Sequence, residues 1–432
     1  MTNTGPLSHS LPLWAAPTVP VGHPLDTTVV VPGSKSLTNR FLVLAALADA
    51  PSVLRGTLIS RDSELMIAAL RQLGATITQG AQVGEFHITP IANRAEVGTV
   101  TIDCGLAGTV MRFIPAVAAR VRPMAPIIAG LRALGVEVTD ENNGFLPITV
   151  HATGSVPGGE ITVDASGSSQ FVSGLLLAAP RFAAGVTLRH EGKSVPSMPH
   201  VDMTVEVLED AGAQVSYPAP LTWAVAPGTV VARDIQVEPD LSNATPFMAA
   251  ALVAGGTVRI PAWPAQTTQP GALAPQIFER MGATCTLANG VMTITGTGTI
   301  HGLGHLDLSA AGELAPTFAA LAALADSPTE IRGIAHLRGH ETDRLAALTS
   351  EINGLGGFCE ELPDGLRITP QPLTGGVFHT YHDHRMATAG TILGLRYPGI
   401  DIENVATTAK TVPGFDRMWQ EMLGLRGADT AS

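Results

Sequence analysis

The stretch LMIAALRQLGATI (65–77) joins an apolar pattern to a glycine and then to an alternating segment. Apolar residues three or four positions apart predict an amphipathic helix, a glycine often follows the last helical turn, and alternation predicts a strand. The arrangement returns in IIAGLRALGVEV (127–138), MTVEVLEDAGAQV (203–215), PQIFERMGATCTL (275–287) and LTSEINGLGGFCE (348–360). A last copy, MWQEMLGLRG (418–427), has the helix and the glycine. The chain therefore repeats one helix–glycine–strand element.

A second class of helix precedes these elements, in apolar stretches that start at residues 36, 108, 168, 242, 312 and 384. The starts are 72, 60, 74, 70 and 72 residues apart. In most units a strand pattern lies between the two helices, as in SVLRGTLIS (52–60), GVTLRHEGK (185–193), GGTVRIPAW (255–263), TEIRGIAHL (329–337) and GIDIENVAT (399–407). A near-constant period indicates one structural unit used repeatedly. We predict six units of strand–helix–strand–helix–strand(s).

A chain of 432 residues is longer than one hydrophobic core usually serves, so we expect two domains of three units each. The polar segment VEPDLSN (237–243) lies at the middle and is the expected crossing point. The predicted N-terminal-type domain is 35–240. The C-terminal-type domain is 13–34 plus 241–425, with the first strand crossing over, and residues 1–12 are expected to be a disordered leader.

The second unit is shorter than the others. Its interval is 60 residues where the others are close to 72, and the helix from residue 108 runs directly into RVRP (120–123). We predict that this unit lacks its middle strand, a deficit of about a dozen residues relative to the repeat.

The composition excludes several classes of function. A net charge of −12 argues against nonspecific nucleic-acid binding, which needs clustered cations. Cys104, Cys285 and Cys359 are far apart, with neither disulfide-framework nor zinc-site spacing, and this fits a reducing cytosol. No apolar run reaches 18 residues, and MTNTGPLSHS lacks the order of a signal peptide. We therefore expect a cytoplasmic protein.

Several helix starts carry polar groups that suit an anionic ligand. In PGSKSLTNR (32–40) the side chain of Ser36 can cap the helix, while Lys35 and Arg40 add positive charge. Gly108-Thr109 before Arg112, Ser168-Ser169-Gln170, and Asp383-His384-Arg385 open three other helices. Ordinary capping is the alternative interpretation.

Three further segments hold candidate groups. LRGHETDRLAAL (337–348) is dense in charge, and TTAKTVPGF (407–415) carries Lys410, one of only three lysines. Glu313 is the only acid in SAAGELAPTF (309–318), which suits a general acid or base. An exposed, salt-bridged helix start and a carboxylate favoured by the helix dipole are the respective alternatives.

Eight motifs, in order, give a resemblance to a known family. PGSKSLTNR, DCGLAGTVMR, RPM, SSQF, the Glu313 segment, HETDR, DHRMA and TTAKT resemble the signatures of 5-enolpyruvylshikimate-3-phosphate (EPSP) synthases, from about residue 13 to 420. Glu313 and HETDR are similar to the actinobacterial branch. The resemblance implies an α/β (α+β) fold of two closing domains, each with three βαβαββ units.

The resemblance also implies a reaction: the enolpyruvyl group of phosphoenolpyruvate passes to the 5-hydroxyl of shikimate 3-phosphate, in aromatic amino acid biosynthesis. It implies a monomer with these two small-molecule substrates, no metal or cofactor, and inhibition by glyphosate near Gly108. The catalytic candidates are Glu313, Lys35, Glu341 and His384. The positions matching shikimate 3-phosphate contacts are Lys35, Ser36, Arg40, Ser168, Ser169, Gln170, Ser197, Glu313 and His340. Those matching phosphoenolpyruvate contacts are Lys35, Gly108, Arg122, Gln170, Arg344, Arg385 and Lys410.

Two other functions stay open. The family has a strand between MRFIP and RPM that this chain lacks, and its loss threatens the placement of Arg122. The chain could then be an inactive remnant that binds shikimate 3-phosphate. The other candidate is the sister enzyme that acts on UDP-N-acetylglucosamine, which usually carries a reactive cysteine in a loop of the second unit. Here Cys104 precedes the helix of that unit.

Overall fold

A computed structural model describes residues 11–19, 24–91, 100–105, 107–114, 124–140, 144, 147–151 and 156–425. Most of the predicted leader lies outside these ranges. The helices are α1 (Lys35–Leu47), α2 (Arg61–Gln72), α3 (Gly108–Phe113), α4 (Ala125–Ala133), α5 (Gln170–Ala178), α6 (Pro199–Asp210), α7 (Leu241–Ala254), α8 (Ala274–Arg280), α9 (Ala315–Ala323), α10 (Arg344–Gly354), α11 (His384–Arg396) and α12 (Phe415–Met422). Shorter 3₁₀ helices span Ala179–Arg181, Pro270–Leu273, Gly312–Leu314, Ala335–Gly339 and Val405–Lys410.

The strands alternate with these helices as the repeats predict. They are β1 (Leu13–Ala15), β2 (Leu25–Thr28), β3 (Ser52–Arg55), β4 (Thr76–Gln79), β5 (Phe86–Thr89), β6 (Glu137–Thr139), β7 (Thr149–His151), β8 (Gly159–Val163), β9 (Val186–His190), β10 (Val215–Ala219), β11 (Thr222–Val225), β12 (Asp234–Gln236), β13 (Gly256–Pro261), β14 (Thr284–Ala288), β15 (Val291–Gly296), β16 (Gly304–Asp307), β17 (Thr329–Arg332), β18 (Phe358–Leu362), β19 (Gly365–Thr369), β20 (Gly376–Phe378) and β21 (Ile400–Glu403). The odd-numbered helices are the apolar class, and the even-numbered helices are the class that ends near a glycine. The repeating mixed α and β architecture is confirmed.

Four sheets share one strand arrangement. Their orders are β12-β3-β5-β4, β10-β11-β9-β8, β14-β15-β13-β2 and β16-β17-β19-β18. In each, one parallel pair is followed by two antiparallel pairings, so the same small sheet forms four times. β1, β21 and β20 form a three-stranded sheet. In the described part of the second unit the sheet has two strands, β6 and β7, and residues 115–123, where the missing strand was predicted, lie outside the described ranges.

The buried apolar residues fall into two clusters. One contains residues between 37 and 237, and the other contains residues 16–31 together with residues between 241 and 422. The helices α7, α9 and α11 pack on one another inside the second cluster, and α1, α3 and α5 do so inside the first. Every residue of α7 except Ala254 is buried, as expected of a helix that is apolar on all sides.

The chain crosses between the two clusters through two adjacent segments. The Ser34 amide donates to the Glu238 carbonyl at 2.8 Å, and the Asp240 amide donates to the Pro32 carbonyl at 2.9 Å. Before the first crossing, β1 pairs with β21 and β2 pairs with β13, so residues ahead of α1 complete sheets of the second cluster. None of the helices in the described ranges combines the length and apolarity of a membrane span.

Candidate active site

A cavity of about 150 Å³ is lined by residues that flank both apolar clusters. Five helices begin with a residue of its wall, namely Lys35, Gly108, Gln170, Arg344 and His384. The first turn of a helix has free N–H groups and a partial positive charge, so several such turns around one cavity favour anions. The geometry therefore suits a ligand with more than one negative group.

Capping residues fix where these helices begin. The Ser34 hydroxyl accepts from the Leu37 amide, and Asp343 accepts from the first-turn amides of α10 at 3.1 Å. Asp383 caps α11 by accepting from the Arg385 amide at 2.8 Å. The prediction that Ser36 caps α1 was wrong, because Ser34 caps the helix and Ser36 is its second residue, in the cavity wall.

Five cationic side chains lie in the cavity wall: Lys35, Arg112, Arg344, Arg385 and Lys410. Burial lowers the pKa of Lys35, and the nearby charges of Lys410 and Arg385 lower it further against the opposing effect of Asp62. The Lys35 ammonium is 3.7 Å from Asp62 Oδ2, and Lys410 pairs with Glu341. Neighbouring positive charges in the wall therefore make the protonated form of Lys35 less favourable.

Two other groups in the wall, Glu341 and His384, have pKa values well below those of the free side chains. Burial acts to raise the pKa of Glu341, but Arg344 and Lys410 outweigh it and hold that pKa well below its usual value. Burial, together with Arg385 and Lys35, holds the pKa of His384 well below 6.5. Glu341 is therefore a carboxylate and His384 a neutral imidazole at neutral pH.

Glu313 lies on the 3₁₀ helix Gly312–Leu314 and faces a group from the other cluster. Its Oε1 accepts from the Ser242 hydroxyl at 3.3 Å and is 3.6 Å from Nε2 of His200. Both side chains are about four-fifths buried or more, with exposures of 14% for Glu313 and 18% for His200. A carboxylate so placed can accept a proton from a hydroxyl bound in the cavity.

Most of the predicted site residues converge here. The cavity wall includes Lys35, Ser36, Gly108, Ser168, Gln170, Glu313, His340, Glu341, Arg344, His384, Arg385 and Lys410. Ser169 and Ser197 are outside that wall, and Arg122 lies outside the described residues.

Arg40 lies behind the wall rather than in it. Its guanidinium donates to the Thr204 hydroxyl and the His200 carbonyl, both at 2.8 Å, and to the Ser36 carbonyl at 3.0 Å. Burial lowers the pKa of Arg40 to about 9. In this structure Arg40 fixes the backbone beside the cavity, and its predicted substrate contact stays a prediction.

The sequence did not single out several wall residues. Arg112, whose position had been noted without a role, donates to Gln170 Oε1. Asp240 caps α7 and also accepts from the Lys35 amide at 3.3 Å, so it joins the two sides of the cavity. A capping pattern in PDLSN was a usable signal for it. The other unforeseen polar members are Ser34, Asp62, His200, Ser242, Asn243, Gln269 and Thr411.

Comparison with known proteins gives one consistent result. The family model for EPSP synthase (3-phosphoshikimate 1-carboxyvinyltransferase) matches residues 19–419. A 3-phosphoshikimate 1-carboxyvinyltransferase from Kocuria rhizophila is 57% identical over 448 residues, covering 99% of this chain and 100% of the relative. That span exceeds the 432 residues of this chain, so the relative has residues without a counterpart here.

Solved structures agree in fold. An EPSP synthase from Acinetobacter baumannii superposes with a TM-score of 0.78 at 24% identity, covering 94% of this chain and 97% of that one. The enolpyruvyl transferase NikO from Streptomyces tendae superposes with a TM-score of 0.73 at 19% identity, covering 96% and 98%. The resemblance read from the motifs is confirmed, and this chain belongs to the EPSP synthase family.

Proposed function

We propose that this chain transfers the enolpyruvyl group of phosphoenolpyruvate to the 5-hydroxyl of shikimate 3-phosphate, releasing phosphate. One observation carries the proposal: Lys35, Arg344, Arg385 and Lys410 line a single cavity with the carboxylate of Glu313. The two substrates together bring two phosphates and two carboxylates, which charged donors and helix N-termini bind well. The acidic chain thus has a locally basic cavity.

The substrate positions that we propose are those that the family resemblance implies. We assign shikimate 3-phosphate to Lys35, Ser36, Arg40, Ser168, Ser169, Gln170, Ser197, Glu313 and His340. We assign phosphoenolpyruvate to Lys35, Gly108, Arg122, Gln170, Arg344, Arg385 and Lys410. Guanidinium groups of Arg344 and Arg385 suit the planar carboxylate of phosphoenolpyruvate, and the two lysines suit its phosphate.

The reaction is an addition followed by an elimination. Glu313 takes the proton of the 5-hydroxyl. The hydroxyl oxygen of shikimate 3-phosphate bonds to C2 of phosphoenolpyruvate, and C3 gains a proton. The tetrahedral intermediate then loses phosphate from C2 and a proton from the methyl group, which restores the enol ether. Lys35 and Lys410 stabilise the departing phosphate. Glu341 and the neutral His384 are the further candidates for handling the C3 proton.

The two apolar clusters support the predicted division into domains of 35–240 and of 13–34 plus 241–425. With the substrates between them, closure of these domains would exclude water from the reaction. We further propose a cytoplasmic monomer that needs no metal or cofactor.

The sister reaction on UDP-N-acetylglucosamine usually involves a reactive cysteine, and the buried thiol of Cys104 does not suit that role. Burial, with a contribution from Asp103, raises the pKa of this thiol to about 12, so it is not a reactive thiolate. The test supplies phosphoenolpyruvate with either shikimate 3-phosphate or UDP-N-acetylglucosamine and measures product mass. Product from shikimate 3-phosphate alone is expected. Product from the sugar nucleotide would contradict the proposal, and substrate binding without any product would favour the inactive remnant.

A further inference from the structure

Strained backbone lies directly before the helix that presents His384 and Arg385. Tyr381 and His382 are consecutive residues with φ of 54° and 56°, the left-handed region that favours glycine. A third residue of this kind, Asn404 with φ of 48°, precedes the 3₁₀ helix Val405–Lys410. Left-handed backbone is unfavourable for residues other than glycine, because Cβ comes too close to the following carbonyl oxygen. It persists only where surrounding contacts determine it.

A buried carboxylate, that of Glu351, holds the turn at Tyr381 and His382. Oε1 of Glu351 accepts from the Tyr381 hydroxyl at 2.6 Å, and Oε2 accepts from the His379 amide at 2.7 Å. Glu351 is 5% exposed and lies on α10. One side chain therefore fixes the loop at two points, on either side of Thr380. The turn at Asn404 contacts the turn at Tyr381 and His382, because Nδ2 of Asn404 is 3.4 Å from Nδ1 of His382.

The held loop leads directly into the cavity. Asp383 follows His382, caps α11, and accepts two hydrogen bonds from Arg344, the first residue of α10. Arg385 is in the first turn of α11, and Lys410 ends the 3₁₀ helix that Asn404 begins. Three cationic side chains of the wall, Arg344, Arg385 and Lys410, thus stand on elements that are joined behind the cavity.

We propose that Glu351 and Tyr381 are positioning residues: their hydrogen bond keeps the strained turn, and so holds Arg344, Arg385 and Lys410 in the arrangement that binds the enolpyruvyl donor. The proposal rests on the proposed function. Neither residue lines the cavity, so their effect passes through Asp383. Ser168, which is assigned to shikimate 3-phosphate alone, has no contact with this turn among the described hydrogen bonds.

The test uses Tyr381→Phe, which removes one hydroxyl and keeps the ring. We expect KM for phosphoenolpyruvate to rise about ten- to hundredfold, since a lost hydrogen bond to a charged group and a small misplacement of binding groups each have effects of that order. KM for shikimate 3-phosphate should change less than about twofold. Tyr217→Phe, the same change at an exposed tyrosine of β10, is the control and should leave both constants unchanged.

A glycine rescue separates positioning from general destabilisation. Glycine adopts the left-handed conformation without steric cost, so His382→Gly combined with Tyr381→Phe should recover part of the lost affinity for phosphoenolpyruvate relative to Tyr381→Phe alone. Thermal unfolding of each variant is measured beside the kinetics. If Tyr381→Phe does not fold, Glu351→Gln takes its place. Glu351 accepts from the Tyr381 hydroxyl with one oxygen and from the His379 amide with the other, and an amide can replace only one of these acceptors, so KM for phosphoenolpyruvate should again rise.

The proposal is overturned if Tyr381→Phe behaves as Tyr217→Phe does, if both KM values rise equally, or if the glycine recovers nothing. A wild-type chain that forms no product would instead overturn the proposed function, so the two failures are distinguishable.

Discussion

Arg344 and Asp383 form a two-pronged ion pair in the interior, with Nε to Oδ2 at 2.8 Å and Nη2 to Oδ1 at 3.1 Å. The side chains are 2% and 0% exposed. Burial acts to lower the pKa of Arg344, but Asp383 and Glu341 outweigh it and raise that pKa, so the guanidinium stays charged. Because Asp383 also caps α11, one carboxylate determines the position of Arg344 and of Arg385.

Removal of the Asp383 charge should strongly destabilise the chain. Asp383→Asn removes the carboxylate that pairs with the buried Arg344 guanidinium at two points and leaves Glu341, 3.2 Å from Nη2, as a remaining counter-charge. Breaking a buried ion pair typically costs about 3–5 kcal/mol. Urea unfolding measures the loss. Glu421→Gln, at an exposed pair with Arg417, is the matched control and should cost less than about 1 kcal/mol. Equal losses of unfolding free energy in the two variants would show that the buried pair stabilises the chain no more than the exposed pair.

His384 should make stability depend on pH. Its folded pKa lies well below 6.5, so below that pH the unfolded state binds a proton that the folded state does not. Stability is therefore complete above pH 6.5 and falls as the pH drops, by about 1.4 kcal/mol per pH unit from this group. The pKa values of His200 and His336 are also lowered, so these groups give stability the same dependence on pH. The contribution of His384 is therefore the difference between the wild type and His384→Gln, measured between pH 5.5 and 7.5. Parallel curves for the two chains would refute the prediction.

Lys35 should limit activity on the alkaline side. Its pKa is lowered from 10.5, chiefly by burial, and only the ammonium form binds a phosphate. As the pH rises through this lowered pKa, kcat/KM for phosphoenolpyruvate should fall, since that ratio follows the ionisation of the free enzyme. In Lys35→Arg, whose guanidinium stays charged, the alkaline decline should move to higher pH. If the alkaline decline of kcat/KM is unchanged in Lys35→Arg, a group other than Lys35 causes it.

Glyphosate should compete with phosphoenolpyruvate. Gly108 is the first residue of α3 and lines the cavity, as the resemblance requires for the position near which this inhibitor acts. Gly108→Ala adds a methyl group there, and we expect weaker inhibition together with a higher KM for phosphoenolpyruvate. Initial rates at varied concentrations of both compounds test this. Inhibition that does not depend on phosphoenolpyruvate concentration would place glyphosate elsewhere.

The sequence predicted the repeating elements well because they depend on local patterns. LMIAALRQLGATI became α2 and β4, and GGTVRIPAW contains β13. The helix starts were also visible, since Asp383 and Asp343 are ordinary capping residues placed before cations. A resemblance spread over eight motifs then gathered groups that lie up to 375 positions apart, as Lys35 and Lys410 do, around one cavity.

What the sequence missed depends on contacts across the fold. Asp240 accepts a hydrogen bond from the Lys35 amide, and His200 lies beside Glu313. Both contacts form only because the crossing segments bring the two apolar clusters together. The burial of Arg40 behind the wall is likewise a packing result that no local pattern encodes. The strained turn at Tyr381 and His382 could not be read either, because neither residue type favours left-handed backbone strongly enough to mark it.

We propose that Glu313 is the base in the transfer between two bound substrates, and the rate of phosphate release measures this role. The purified chain is supplied with shikimate 3-phosphate and phosphoenolpyruvate, separately and together, beside Glu313→Ala. We predict release only with both substrates, and a rate about 10²–10⁴-fold lower in the variant, the usual contribution of one acid–base group. Release that Glu313→Ala leaves unchanged, or no release by the wild type while shikimate 3-phosphate still binds, would contradict the account.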